Sequence, residues 1–326
     1  MKGSAQQSPG PRAGSHHAEG VLFAAVGAIG FSGKAVIVKL CYRYGVDAIT
    51  VLMLRMLFAL PLFLALSWWG GRGKPALTRG DWPALFWLGF CGYYLSSFLD
   101  FSGLQYIGAS LERLVLYLHP TFVLALSAVF FGIRLKRRQA ISLALSYLGV
   151  LLVFGHDLSV SGSHIVLGSA LVLGSALSYA VYLVLSGAVI RRFGAVRVTG
   201  IATSIACLLC TLQFFLLRPA AAMIVPAGVI ELSALNAVLC TFLPVLLVML
   251  AIERVGAPTV AQTGNIGPLA TIFLSILLLG EPFTAWLAAG TALVLSGIWL
   301  LARRPEPASP RLDSESSPWQ SKAPRR

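Results

Sequence analysis

Charge is what this sequence has little of. Asp, Glu, Lys and Arg make up 11% of its 326 residues, with 12 acidic residues against 25 basic ones. An ordinary soluble domain carries about a quarter charged residues, so a water-facing surface of the usual kind is excluded. Cysteine is sparse too. Cys41, Cys91, Cys207, Cys210 and Cys240 lie in or beside apolar runs and imply no disulfide framework. The CxxC spacing of "CLLC" (207–210) falls inside an apolar helix and reads as two small hydrophobes. No Walker loop, GxSxG elbow, HExxH pair or doubled CxxC cluster occurs. ATP hydrolysis, serine hydrolysis and zinc chemistry therefore lack support, and no cofactor or metal is expected. An ATP-driven pump would need a second chain.

What is abundant is hydrocarbon. The chain is 57% hydrophobic, with mean hydropathy +0.81. Runs such as "LPVLLVMLAI" (243–252) and "LATIFLSILLLG" (269–280) belong to stretches near the roughly 20 residues that a helix needs to cross a bilayer. They do not alternate as the strands of a membrane barrel would. The predicted fold is all-α and integral to the membrane. Ten crossings are expected, at about 21–40, 48–68, 82–102, 109–131, 138–154, 165–186, 198–217, 235–252, 257–279 and 285–302. A polar, Pro/Gly-rich tail (1–19) precedes them, with no cleavage site after the first span. A proline-rich tail (304–326) follows.

The net charge of +13 does not indicate nucleic acid, because the basic residues sit in loops and tails. With both termini cytoplasmic, the inner segments hold clusters such as Arg72, Lys74 and Arg79; Arg134, Lys136, Arg137 and Arg138; and Arg191, Arg192 and Arg197. The outer segments hold only Lys39, Arg43 and Arg218. That asymmetry is the positive-inside pattern.

The chain repeats itself. "GASLERLVLYLHPTFVLALSAVFFG" (108–132) aligns without gaps onto "GAPTVAQTGNIGPLATIFLSILLLG" (256–280), an offset of 148 residues. Gly108/Gly256, Ala109/Ala257, Pro120/Pro268, Ser127/Ser275 and Gly132/Gly280 coincide, and Gly149/Gly297 extends the match. Two units of five helices follow, over 20–155 and 162–303. Five is odd, so the second unit must lie inverted, a plan found in carriers whose substrate binds between the halves.

The segments "FSGKAVIVKL" (31–40), "LRMLFALPLFL" (54–64), "ASLERLVLYLHPTFV" (109–123), "AIERVGAPTVAQTGNIGP" (251–268) and "LLLGEPF" (277–283) resemble, in order and spacing, the EamA branch of the drug/metabolite transporter superfamily. The resemblance covers about 20–303. It implies a multi-pass carrier of the bacterial inner membrane for small polar or amphipathic metabolites such as amino acids, without enzymatic activity.

Helical rise places several charges at one depth in the outer half of the bundle. Glu112 and Arg113 lie roughly 5 Å in, Lys34 about 9 Å and Arg55 about 10 Å, with Asp100 near the outer end of its helix. A charge in hydrocarbon costs at least about 2.5 kcal/mol, so such groups pair or face a wet cavity. On one reading Arg55, with Lys34 or Arg113, takes a substrate carboxylate, while Glu112 or Asp100 takes an ammonium. On the other, the same charges form a structural ion-pair network or snorkel to the interface. His119 near the midplane is either a proton or substrate group or a packed histidine. Pro120 removes an N–H near the Leu116 carbonyl and Pro268 should act alike, so both are hinge candidates. Tyr117, Tyr179 and Tyr182, with Gln262 and Asn265, could add neutral hydrogen bonds. Asp100, Glu253 and Arg254 are gate candidates, and Glu281 with Pro282 marks a helix boundary.

These features predict a secondary transporter, export favoured, acting by alternating access, with a homodimer as a candidate assembly. An uptake permease or facilitative channel of the same fold, or a membrane-embedded enzyme, are the alternatives.

Overall fold

The computed structural model describes residues 11–131, 137–161, 164–255, 260 and 263–302. Among them the regular elements are all helical. α1 (Pro11–Tyr42) starts inside the segment expected to be a polar tail, because proline is well suited to the first turn, where its missing N–H has no intrahelical partner to lose. α2 (Ala48–Gly71) is capped by Asp47, whose side chain accepts from the Thr50 N–H at 2.9 Å. α3 (Trp82–Gly89) and α4 (Ser96–Leu104) form one rod joined by a π-helical turn, Phe90–Leu95. α5 (Ala109–Leu116) and α6 (His119–Phe131) follow.

α7 (Arg137–Ser161) completes the first half, and α8 (His164–Phe193) and α9 (Ala195–Leu217) open the second. α10 (Ala227–Ala237) and α11 (Leu243–Val255) are joined by a π-helical turn, Val238–Phe242. α12 (Gly267–Leu274) runs into a third π-helical turn, Ser275–Leu279, and α13 (Ala285–Ala302) ends the described chain. The rod from Ala227 starts earlier than the 235–252 expected, because Glu231 and Asn236 lower the apolar signal in its first turns.

Seven helices among the described residues are long and apolar enough to cross a bilayer, and Gly267–Leu279 and Ala285–Leu300 are shorter apolar ones. Their outward faces keep Trp68, Phe130, Leu216 and Phe273 exposed, a surface that suits lipid and not water.

Packing follows the repeat. α2 lies on α9, and α7 on α13; α1 lies on α11 as α8 lies on α4, and α1 on α12 as α8 on α6. The 148-residue offset exchanges the members of these pairings. The π-turns at Phe90 and Val238 obey the same offset. Small residues bring the rods together. A Cβ on Gly149 would stand 2.5 Å from the Gly290 carbonyl oxygen, and one on Gly290 2.6 Å from that of Gly149. Such closeness is how helices gain contact where lipid removes the hydrophobic drive.

Candidate functional site

The charges set within the rods come from α1, α2, α4 and α5. Lys34 lies in the body of α1, and its ammonium donates to Asp100 of α4 at 2.5 Å. Glu112, in the first turn of α5, lies 3.8 Å from the same ammonium. Asp100 and Glu112 are 1% and 0% exposed, while the Lys34 side chain keeps 18% exposure. The lysine is thus the most exposed member of the group.

Arg55 of α2 is only 5% exposed. Its Nε donates to Thr241 Oγ1 at 3.0 Å, and its guanidinium sits 5.0 Å over the Phe101 ring. Among the described residues Nη1 has no hydrogen-bond partner. Thr241 belongs to the π-turn of the second half, and its hydroxyl in turn donates to the Asn236 carbonyl. A π-turn leaves a carbonyl out of the regular ladder, and the threonine meets it. Asn236 also donates toward the Lys34 carbonyl at 3.4 Å. Thr241 and Asn236 were not foreseen. The available signal was simply that both are polar within an apolar run; nothing local shows that they face the charged half.

Arg113 turns away from Glu112 and donates to the Phe31 carbonyl at 3.1 Å. Tyr117 reaches the Gly264 carbonyl at 3.4 Å. Ser32 donates to the Gly267 carbonyl at 2.8 Å, and Thr271 to that of Ser32 at 3.2 Å. α1 is therefore stitched to α12 through small polar groups next to the charges.

Pro120 lacks the N–H that would close a helical bond on Leu116. His119 replaces it, with Nδ1 2.9 Å from the Leu116 carbonyl oxygen; a carbonyl only accepts, so Nδ1 carries the proton. The helix breaks at Tyr117–Leu118. The equivalent place in the second half is the 3-10 turn Gly264–Ile266, just before a buried Pro268. The His119 ring also meets Tyr179 edge-on at 6.0 Å, and Tyr179 stacks on Tyr182, whose hydroxyl lies 3.2 Å from that of Tyr93. The structure thus groups His119 and Tyr179 in an aromatic cluster between α6, α8 and the Phe90–Leu95 turn, while Lys34, Asp100 and Glu112 form the ionic cluster.

At the end of the bundle beyond Lys34, the halves are tied by Glu281. Its carboxylate accepts from the Ala109 and Ser110 N–H groups at 2.7 and 3.1 Å and from the Ser110 hydroxyl at 2.6 Å. Glu281 therefore caps α5 from across the chain, a role beyond the helix boundary read from sequence. Arg43 donates to the Leu279 carbonyl at 2.5 Å, and Lys39 to those of Leu104 and Ile107, both at 3.1 Å. A cleft of about 440 Å³ opens among these residues, lined also by Tyr42 and Gln105.

At the opposite end Arg254 stands 3.9 Å from Glu19 and 4.7 Å over the Phe23 ring. Gln262 lies outside the described residues, as do the side chains of Glu253 and Asn265.

Comparison with known proteins agrees with this two-part plan. The profile of the EamA-like transporter family matches twice, over residues 18–155 and 166–303, again 148 residues apart. An uncharacterized transporter of Bacillus subtilis (strain 168), YcbK, is 32% identical over 277 residues, covering 81% of this chain and 86% of that protein. An uncharacterized transporter of Archaeoglobus fulgidus is 25% identical over 268 residues, covering 82% and 92%. A crystal structure superposes with a TM-score of 0.61 at 18% identity, covering 87% of this chain and 96% of that one; this likeness concerns the fold alone.

Proposed function

Since this chain belongs to the EamA-like transporter family, we propose that it is a secondary carrier that exports a small amino-acid-like or amphipathic metabolite across the bacterial inner membrane. In this reading the rods form ten crossings, arranged as two inverted five-helix units with both termini cytoplasmic. The substrate lies at the seam where the first unit's charges meet the second unit's hydroxyl and amide groups. The transport cycle exchanges the conformations of the two units.

The observation that carries the reading is Arg55. A guanidinium this deep is held by one hydroxyl and one ring face, and Nη1 remains unpartnered. A buried donor without an acceptor is costly, and a substrate carboxylate would supply the acceptor. Lys34 is already engaged by two carboxylates, so Arg55 is the anion-binding group and the Asp100–Glu112 side receives the ammonium. An amino acid carries both charges.

The test is a tolerance and efflux screen of amino acids and analogues in cells expressing wild type or Arg55→Ala at matched membrane abundance. A gain of tolerance with wild type that the variant lacks supports the reading. Equal tolerance with both would remove Arg55 from it. Flux in inverted vesicles separates export from uptake or facilitated passage.

A further inference from the structure

The hydrogen bonds of the ionic cluster do not close. One ammonium, on Lys34, faces two carboxyl groups, Asp100 at 2.5 Å and Glu112 at 3.8 Å. Among the described residues no donor reaches either oxygen of Glu112 or Oδ1 of Asp100. The surrounding groups are otherwise engaged. Arg113 of α5 holds the Phe31 carbonyl, Arg55 of α2 holds Thr241, Tyr42 of α1 donates to the Phe101 carbonyl at 2.6 Å, and Tyr117 reaches Gly264. Asp100 and Glu112 flank the same ammonium, and a hydrogen bond between their carboxyls would give Glu112 the partner it lacks. That bond exists only if one of them holds a proton. The guanidiniums of Arg113 and Arg55 keep their charge nearby, yet they donate to the Phe31 carbonyl and to Thr241, and an ionised carboxylate buried without a donor on either oxygen costs more than a protonated one.

The second unit has no copy of this arrangement. At the 148-residue offset, Lys34, Asp100 and Glu112 correspond to Tyr182, Val248 and Val260. The unmet carboxyl is confined to one place.

We infer that Asp100 and Glu112 share one exchangeable proton, and that a cationic group entering beside them displaces it. In the exchange the O–H bond of the shared carboxyl breaks and the proton passes to water on the Lys34 side. The incoming ammonium then pairs with the carboxylate left behind, so the net charge of the site is the same before and after. The second half of this inference rests on the carrier reading; the first half does not.

Infrared spectroscopy of the full-length protein in lipid bilayers tests the proton directly. At neutral pH the wild type should show a carboxylic-acid C=O band that shifts in D2O. Glu112→Gln should remove it, because Asp100 then balances Lys34 alone. Asp100→Asn should remove it for the same reason and serves if the first variant does not fold. Lys34→Gln should keep or strengthen the band. An unchanged band in both carboxyl variants overturns the shared proton. Proteoliposomes loaded with a mixture of labelled amino acids then test the exchange. Efflux at least several-fold faster with a proton gradient than without it is expected, and equal rates overturn the exchange. Wild-type liposomes that move no amino acid defeat the carrier reading instead, while the infrared result still decides the proton site.

Discussion

Asp81 and Asp100 are both buried carboxylates paired with a basic side chain, yet their surroundings give them different roles. Asp81, in the turn before α3, accepts from the Thr78 N–H and hydroxyl, both at 2.7 Å, and from Arg192 at 2.6 Å. Burial pushes its carboxyl up, but the Thr78 hydrogen bonds and Arg192 outweigh this and hold it below the usual carboxylate range. Arg192 is half exposed, so the pair contributes no more than about 1 kcal/mol. A depressed value gives stability that is present above the ordinary carboxylate range, near pH 4, and lost as pH falls through the folded-state value. Asp81→Asn should therefore lower the unfolding temperature at pH 7, and the gap to wild type should close as the buffer is taken below about pH 4. Thermal scans in detergent across that range decide it. Asp100 instead shares one ammonium with Glu112 inside the bundle.

The broken rod α5–α6 shows how one proline sets a local structure and what removing it should do. With Pro120→Ala an N–H again reaches the Leu116 carbonyl and His119 Nδ1 loses its place there. Restoring a helical bond where a proline sits can recover up to about 3 kcal/mol of helix stability. The variant should be at least as heat-stable as wild type, yet transport more slowly, because the break at Tyr117–Leu118 would be closed. A stable variant with wild-type flux would remove Pro120 from the transport cycle. Glu281 acts at the other end of the same rod. Glu281→Gln keeps one acceptor but places an amide N–H against the start of α5 and removes the charge that favours a helix N-terminus. The loss should be about 0.5–2 kcal/mol, enough to shift an equilibrium between closed and open ends severalfold. A cysteine at Gln105, in the cleft beside it, should react faster with a bulky maleimide in that background than in the wild-type one. The landmarks of these rods were legible in the sequence because Gly and Pro act on the backbone beside them: Pro120 and Pro268 mark the breaks. The π-turns were not, since the extra residue in Val238–Phe242 has no compositional mark. Nor was the capping by Glu281, which joins residues far apart in the chain.

Across the whole molecule the two units share a path but not a chemistry. The helix pairings and the π-turns repeat at 148 residues, and the common depth of Lys34, Arg55, Asp100 and Glu112 could be read from their positions in the apolar runs. The neutral character of their counterparts could be read as well, once the offset was known: Arg55 corresponds to Thr203 as Lys34 does to Tyr182. What the sequence could not assign was the partner of each charge, because Thr241 and Asn236 reach Arg55 and Lys34 only through packing between units. The proposed inverted arrangement makes a prediction that parallel units would fail. Equivalent loops must open on opposite sides of the membrane. Tyr44, between α1 and α2, is exposed, as is Arg191 near its equivalent at the end of α8; so are Lys74, between α2 and α3, and Ala221, near its equivalent after α9. Cys41, Cys207, Cys210 and Cys240 are buried and Cys91 is partly so, which leaves a low background for labelling. Single cysteines at Tyr44 and Ala221 should react with a membrane-impermeant maleimide in intact cells. Cysteines at Lys74 and Arg191 should react only after the membrane is opened. If Tyr44 and Arg191 label from the same side, the units are parallel, and alternating access by exchange of their conformations has no geometric basis in this chain.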